Sequence, residues 1–214
     1  MIRVVLADDE AMIRAGIAAI LGSDDRIEVV AQAVDGREAV DEVLRTRPDV
    51  VLLDIQMPEL DGLAAAREIR RLRPETSVVM LTTFNEETYV EQALALGASG
   101  FLLKSGDPFE LLAGVRAVAD GAAFLSPKIA KRVIEQLTGR ATSREQVKLL
   151  TPKETEVLAL LGSGMSNADI AARLFIVEGT VKAHVSTILS RLGVKNRVQA
   201  AIVAYEAGLV ESLA

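Results

Sequence analysis

VVLLDIQMPELDG (residues 50–62) decides the fold. Four apolar residues, Val50 to Leu53, stop at a carboxylate, Asp54, and a Pro and a Gly follow within eight residues. An apolar run without alternation reads as a strand buried on both faces, as in a parallel sheet covered by helices. Asp54 then stands at the carboxyl end of that strand, the edge where open α/β sheets bind their ligands. A charge at the mouth of a buried strand needs a chemical reason, and a phosphoryl group delivered to Asp54 supplies one.

The same grammar extends on both sides. RVVLA (3–7) closes in Asp8-Asp9-Glu10, and Met12, Ile13, Ile17, Ile20 and Leu21 follow at helical spacing. Residues 27–33 read as a strand, Asp35-Gly36 as a turn, and 37–46 as a helix with Ala39, Val40, Val43 and Leu44 inward. After 50–53 come a helix over 63–72, a strand over 78–82, and a helix over 86–96 closed by Gly97. A strand over 100–103 and a helix over 107–120 complete the set. Five alternations predict a doubly wound, five-stranded parallel sheet with helices on both faces.

The 214-residue chain is half apolar with 3% aromatic residues, so its core is built from Val, Leu, Ile and Ala. It has no Cys, which excludes disulfides, thiolate metal sites and Cys nucleophiles. No 18-residue apolar run or signal-like leader is present, so a soluble, cytoplasmic protein without a membrane partner is expected. The net charge of −6 is unevenly shared. Residues 1–124 carry 12 Lys and Arg against 22 Asp and Glu, whereas residues 125–214 carry 12 against 8. An acidic half joined to a basic half suggests two domains with different partners, the second suited to a polyanion.

Three strands end in polar groups: Asp8-Asp9 after the first, Asp54 after the third, Thr82-Thr83 after the fourth; Lys104 follows the fifth. Any one of these carboxylates could merely cap a strand or helix. Together, at one sheet edge, they converge. At ~4 Å each carboxylate pair repels by a few kcal/mol at an effective dielectric near 20. A hard divalent cation offsets this, and an all-oxygen set suits Mg2+. Lys104 adds a fixed positive charge and Thr82 a hydroxyl donor. Phosphoryl transfer needs this combination, with Asp54 as the nucleophile.

At these residues the chain resembles the receiver domains of two-component response regulators. The resemblance covers about residues 1–120: Asp8-Asp9, Asp54, Met57-Pro58, Asp61-Gly62, Thr82, and GASGFLLK (97–104). It implies metal ligation by Asp9, Asp54 and the Gln56 backbone carbonyl, with Asp8 acting directly or through water. It implies that Phe101 is the switch aromatic, turning inward as the Thr82 hydroxyl moves to the phosphoryl group. It also implies that Gln56 and Phe84, two past Asp54 and Thr82, tune how long the phosphoryl group lasts. A bulky Phe84 should shield it, giving slow self-dephosphorylation.

Ser126-Pro127 reads as the start of a helix to about Leu137, and polar residues 138–149 as a linker. The remainder is helical in pattern. Thr151-Pro152-Lys153-Glu154 and Ser166-Asn167-Ala168-Asp169 are capping boxes, and further helices run over 178–192 and 197–207. Two short helices joined by a tight turn suggest a helix-turn-helix, although capping boxes alone also fit a generic helical bundle. The wording decides: LTPKE, SNADIA, GTVKAHV and ILSRLGV within 150–200 resemble the DNA-binding domain of the LuxR/NarL/FixJ group.

That resemblance implies DNA contacts from Thr180, Lys182, Ala183 and Ser186 on the recognition helix. Lys195, Asn196 and Arg197 would meet phosphates, with Thr151 and Lys153 as further contacts. Val181, Val185, Ile188 and Leu189 should be core, and His184 a packing residue. The last helix, with Val198, Ala201, Ile202 and Tyr205 on one face, is expected to form a dimer surface. Val177 departs from the family, which commonly has Ser there; a branched apolar residue cannot cap the recognition helix, a loss of ~1 kcal/mol.

The whole predicts a receiver over 1–122, a linker with a helix over 123–148, and a LuxR-type helix-turn-helix domain over 149–214. The expected function is a phosphorylation-dependent transcriptional regulator. A sensor histidine kinase, Mg2+, promoter DNA, a second copy of the phosphorylated chain, and RNA polymerase are the expected partners. No enzyme turnover beyond its own phosphoryl transfer and slow dephosphorylation is expected. The rivals are an aspartyl-phosphate phosphatase, a regulator that responds to a ligand instead of phosphate, and a phospho-dependent scaffold or RNA binder. The first strand ends in ADDEA rather than DxDxT, which disfavours the phosphatase.

Overall fold

The computed structural model describes residues 1–82, 89, 92, 93, 96–126 and 143–210. Six parallel strands form one sheet in the order β2-β1-β3-β4-β5-β6. They are β1 (Ile2–Ala7), β2 (Ile27–Ala33), β3 (Val50–Asp54), β4 (Ser77–Thr82), β5 (Gly100–Leu103) and β6 (Phe124–Leu125). The sequence predicts five strands; the sixth is a two-residue addition pairing Gly100 with Phe124 and Phe101 with Leu125. Helices α1 (Ala11–Leu21), α2 (Gly36–Thr46), α3 (Gly62–Leu72) and α4 (Pro108–Ala119) cover the sheet. The helix expected over 86–96 falls mostly, and the one expected over 127–137 wholly, outside the described residues.

The unbroken apolar runs are explained by two cores. Val5, Ala7, Val51, Leu53 and Met80 face one way and pack against Ala39, Val43, Leu63 and Ile69 of α2 and α3. Val4, Leu6, Val50, Leu52, Val79 and Leu81 face the other way and pack against Ile17, Leu21, Leu112 and Val115 of α1 and α4. Successive strand residues point to opposite faces, so a sheet covered on both sides needs apolar residues at every position. Met12 and Leu44, expected inward, are exposed, because the helical stripe that reaches the sheet is narrower than the apolar pattern.

The C-terminal half is helical: α5 (Ser143–Val147), α6 (Pro152–Gly162), α7 (Asn167–Leu174), α8 (Glu178–Leu192) and α9 (Arg197–Glu206). The short α5 lies within residues expected to be linker. Its third core joins Val157, Leu158, Leu161, Ile170, Val181, Ile188 and Leu192 to Ala200, Val203 and Ala204. Both predicted capping boxes form, Thr151 with Glu154 and Ser166 with Asp169. Arg191 of α8 donates to the Glu154 carboxylate at 2.7 Å, locking α8 to the start of α6. The two halves touch: Val198 of α9 is 1% exposed and belongs to the core beside β3–β5.

Candidate functional site

The carboxyl ends of β1, β3, β4 and the residue after β5 meet at one edge of the sheet. Asp54 is the last residue of β3, Asp8 follows β1, and Thr82 ends β4; all three are buried. Lys104 follows β5, and its backbone N–H donates to the Thr82 carbonyl at 3.0 Å, continuing the ladder by one residue. Its side chain, 5% exposed, places Nζ 2.8 Å from Asp54 Oδ2 and 2.9 Å from Asp8 Oδ2. Glu10 Oε1 stands 3.6 Å from the same ammonium.

Burial raises the Asp54 carboxyl to about 6, with Asp8 adding to the rise and the Lys104 bonds opposing it. Burial opposes the charge on Lys104, but its bonds to Asp54 and Asp8 outweigh that and hold the ammonium above its ordinary value. One cation therefore serves two buried carboxylates, which leaves the pocket net negative.

The acidic turn is fixed by four bonds. The Asp8 N–H donates to the Ala33 carbonyl, the Glu10 N–H to Asp8 Oδ1, the Arg14 N–H to the Glu10 carbonyl, and Arg14 Nη1 to the Asp8 carbonyl. Carboxylate oxygens of Asp8, Asp9 and Glu10 come within 4.8 Å of one another. Asp8 Oδ2 is buried and, apart from the ion pair with Lys104, accepts no hydrogen bond of normal geometry among the described residues. An underused buried oxygen beside an exposed Asp9 and Glu10 fits a hard divalent cation, which accepts oxygen ligands from one side and water from the other. Glu10 joins this set although it is not among the residues expected to ligate; the ADDE run was the available signal.

The loop after Asp54 is pressed against the strand end. A Cβ at Gly62 would run into the Asp54 carbonyl, and one at Gly36 into the Leu60 carbonyl. Gly62 donates to the Ile55 carbonyl, and Asp61 caps α3 by accepting from the Ala64 N–H. This fixes an open cleft of about 410 Å³ beside Asp54, lined by Asp9, Gln56, Met57, Pro58, Asp61 and Tyr89 among others. Gln56, expected to offer its carbonyl to the metal and to tune dephosphorylation, lies exposed in this loop. Phe84, its expected partner in tuning, lies outside the described residues. Phe101 is fully buried on β5, opposite Met80 of β4.

On the C-terminal half, Thr180, Lys182, Ala183 and Ser186 are all exposed on α8. Lys182 pairs with Glu178 one turn earlier at 2.8 Å. Val177 occupies the N-cap of α8 with no side-chain hydrogen bond, as its chemistry requires, and is 72% exposed. Val181 and Ile188 are buried, with Val185 and Leu189 packed against them. His184 is half-buried and Lys195 exposed.

Asn196 and Arg197, expected at phosphates, are turned inward. Asn196 caps α9 by accepting from the Gln199 N–H at 2.8 Å. Arg197 Nη1 donates to the Gly121 carbonyl and to Asn167 Oδ1, each at 2.8 Å, and Nη2 to the Met165 carbonyl. A charged side chain in sequence gives no hint of such a set of neutral acceptors, which the fold brings together. Of the expected dimer face, Val198 is buried, Ala201 and Ile202 are half-buried, and Tyr205 is exposed. Val198 and Ile202 are covered by the N-terminal half.

Two family models match the chain. The response regulator receiver domain matches residues 4–116, and the luxR family of bacterial regulatory proteins matches residues 148–204. The transcriptional regulatory protein LiaR of Bacillus subtilis is 37% identical over 210 residues, covering 98% of this chain and 100% of the relative. The transcriptional regulatory protein DegU of Brevibacillus brevis is 36% identical over 225 residues, covering 98% and 95%. Among solved structures, the response regulator ChrA of a heme-sensing two-component system is 38% identical, covers 97% of this chain and 98% of that one, and superposes with a TM-score of 0.55. RcsB, solved as two dimers bound to two parallel DNAs, is 26% identical with a TM-score of 0.59, covering 96% and 98%.

Proposed function

The chain belongs to the response regulators that join a receiver domain to a LuxR-type DNA-binding domain, transcriptional regulators of the two-component type, and from this we propose that Asp54 is the phosphoacceptor. The observation that carries the assignment is the Lys104 ammonium held between Asp54 and Asp8, with Thr82 at the neighbouring strand end.

In the proposed reaction an Asp54 carboxylate oxygen attacks phosphorus in line. The phosphorus–nitrogen bond to a histidine of a sensor kinase breaks, and the nitrogen keeps the electron pair. The product is an acyl phosphate on Asp54. Lys104 releases the carboxylate oxygen it holds and turns its charge to the phosphoryl oxygens. The fixed turn around Asp8 and the loop pinned at Gly62 keep the reacting atoms aligned. Asp8, Asp9, Asp54 and the Gln56 carbonyl would hold Mg2+, with Glu10 as a further oxygen. Bound there, the ion neutralises charge on the transferred group.

Phosphorylation then promotes dimers that place two α8 helices in successive major grooves of promoter DNA. Thr180, Lys182, Ala183 and Ser186 make the groove contacts. The place of Phe84 in the sequence, two past Thr82, carries the expectation of a slowly hydrolysed acyl phosphate, so Phe84→Glu and Phe84→Ala should change its decay rate. No helix among the described residues is long and apolar enough to cross a membrane, in keeping with action in the cytoplasm. The deciding experiment is phosphoryl uptake from acetyl phosphate with Mg2+. Wild type should become labelled and Asp54→Asn should not; label retained by Asp54→Asn overturns the assignment.

A further inference from the structure

Among the described residues three carboxylates approach the Lys104 ammonium: Asp54 at 2.8 Å, Asp8 at 2.9 Å and Glu10 at 3.6 Å. In the proposed reaction the first two have other work. Asp54 must bring a free oxygen to phosphorus, and Asp8 belongs to the buried side of the acidic turn that suits a divalent cation. Glu10 differs from both in being exposed.

Its backbone is pinned from both sides. The Glu10 N–H donates to Asp8 Oδ1 at 2.9 Å, and the Glu10 carbonyl accepts from the Arg14 N–H at 2.9 Å. Glu10 also occupies the N-cap of α1, yet its side chain makes no capping hydrogen bond there. Ser, Thr, Asp or Asn would serve that position better. Helix capping therefore gives no reason for a glutamate. What the longer side chain does reach is Lys104, through Oε1.

The Lys104 side chain is 5% exposed, so bulk water cannot replace Asp54 when the ammonium lets go. An uncompensated buried charge is costly, and another acceptor has to take the place of the one given up. Asp8 already holds the ammonium at 2.9 Å, so releasing Asp54 gains nothing there. Glu10 is the acceptor with contact still to make: a shift of roughly 0.7 Å brings its oxygen from 3.6 Å to a normal bond of about 2.9 Å. We propose that Glu10 is a positioning residue for phosphoryl transfer. Its carboxylate takes up the Lys104 ammonium as the ammonium leaves Asp54, and holds it until the phosphoryl oxygens arrive. The bonds made and broken remain those given above, and Glu10 neither gives nor takes a proton. The proposal rests on Asp54 as the phosphoacceptor and adds the acceptor that frees it.

The test uses the full chain. Glu10→Gln keeps the shape and removes the charge, and Glu10→Asp keeps the charge but draws it back by one methylene. Phosphoryl uptake from acetyl phosphate is followed against donor concentration at several Mg2+ concentrations. Without metal, in chelator, the 15N resonance of the Lys104 ammonium, assigned with Lys104→Arg, reports its partners. We expect Glu10→Gln to lower the maximal uptake rate five- to tenfold at every Mg2+ concentration, with the donor concentration for half-maximal rate unchanged. It should also move the Lys104 resonance in chelator, and Glu10→Asp should fall between wild type and Glu10→Gln in both readouts. A rate that recovers as Mg2+ is raised would make Glu10 a servant of the metal alone and overturn the proposal. So would an unchanged maximal rate, or a Lys104 resonance that stays in place. Label retained by Asp54→Asn overturns the proposed function instead, and leaves the Lys104 resonance to be read as before.

Discussion

Lys104 Nζ lies 2.8 Å from Asp54 Oδ2, and both side chains are almost excluded from solvent. The same ammonium is 2.9 Å from Asp8 Oδ2, so its removal strands two carboxylates in one pocket. Breaking a buried pair by deleting one partner costs about 3–5 kcal/mol. Lys104→Ala should therefore lower the receiver melting temperature by roughly ten degrees or more in chelator. It should also tighten Mg2+ binding, because the ion then supplies the positive charge that Lys104 no longer gives the two carboxylates. Melting curves across a Mg2+ titration, followed by circular dichroism, read both effects.

Asp54 links stability to pH. An acid whose folded pKa lies above its unfolded value takes up a proton on folding. Its contribution is present below the unfolded value of 3.8 and is lost as pH rises to about 6. Asp54→Asn should escape this loss. In chelator it should be more stable than wild type at pH 7, by roughly 1–3 kcal/mol, and nearly equal at pH 4. Adding Mg2+ should narrow or reverse the gap, since the neutral amide of the variant is a poorer metal ligand than the carboxylate. A wild-type advantage at pH 7 in chelator would contradict the burial argument.

Gly62 stands where a Cβ would run into the Asp54 carbonyl. Gly62→Ala must move the strand end or the loop. Loss of more than about 2 kcal/mol in stability is expected from such a backbone clash. Phosphoryl uptake should slow at least tenfold even where the protein remains folded. Uptake at the wild-type rate would show that the loop can yield without disturbing Asp54.

Val177 leaves the first turn of α8 without a side-chain cap. Its side chain is 72% exposed, so replacement disturbs no core. Val177→Ser should add about 1 kcal/mol to the DNA-binding domain. The melting temperature of that domain should rise by a few degrees, and an unchanged or lower value would count against the missing cap.

Lys182 is exposed on α8 and pairs with Glu178 in a surface ion pair. Such a pair yields readily to a phosphate or a base edge. Lys182→Ala should weaken promoter binding. A phosphate contact predicts uniform loss across sequences and a salt slope smaller by about 1, whereas a base contact predicts relaxed specificity at one position.

The receiver was legible because its signals are local. An apolar run that ends in a carboxylate states both the strand and its functional end, so Asp8, Asp54, Thr82 and Lys104 could be placed at one edge from the chain alone. The strand β6 could not be read, because Phe124-Leu125 is too short to carry a period. Arg197 was misplaced for a different reason. Sequence supplies a charge and the prior that charges face solvent, whereas its three acceptors come from segments brought together only by folding and docking. Val198 shows the same limit. It was expected on a dimer surface, and here it is the receiver that covers it.

The short strand β6 has one more implication. Its pairing continues into Ser126, whose N–H donates at 3.1 Å to the carbonyl of Phe101. The chain therefore sets out toward the DNA-binding domain from the backbone of the very residue that fills the core beside Met80. The last described residue before the connection, Ser126, is thus moored to Phe101. A shift of β5 at Phe101 would therefore carry the point of departure with it, so the exit of the chain from the receiver is registered to the core.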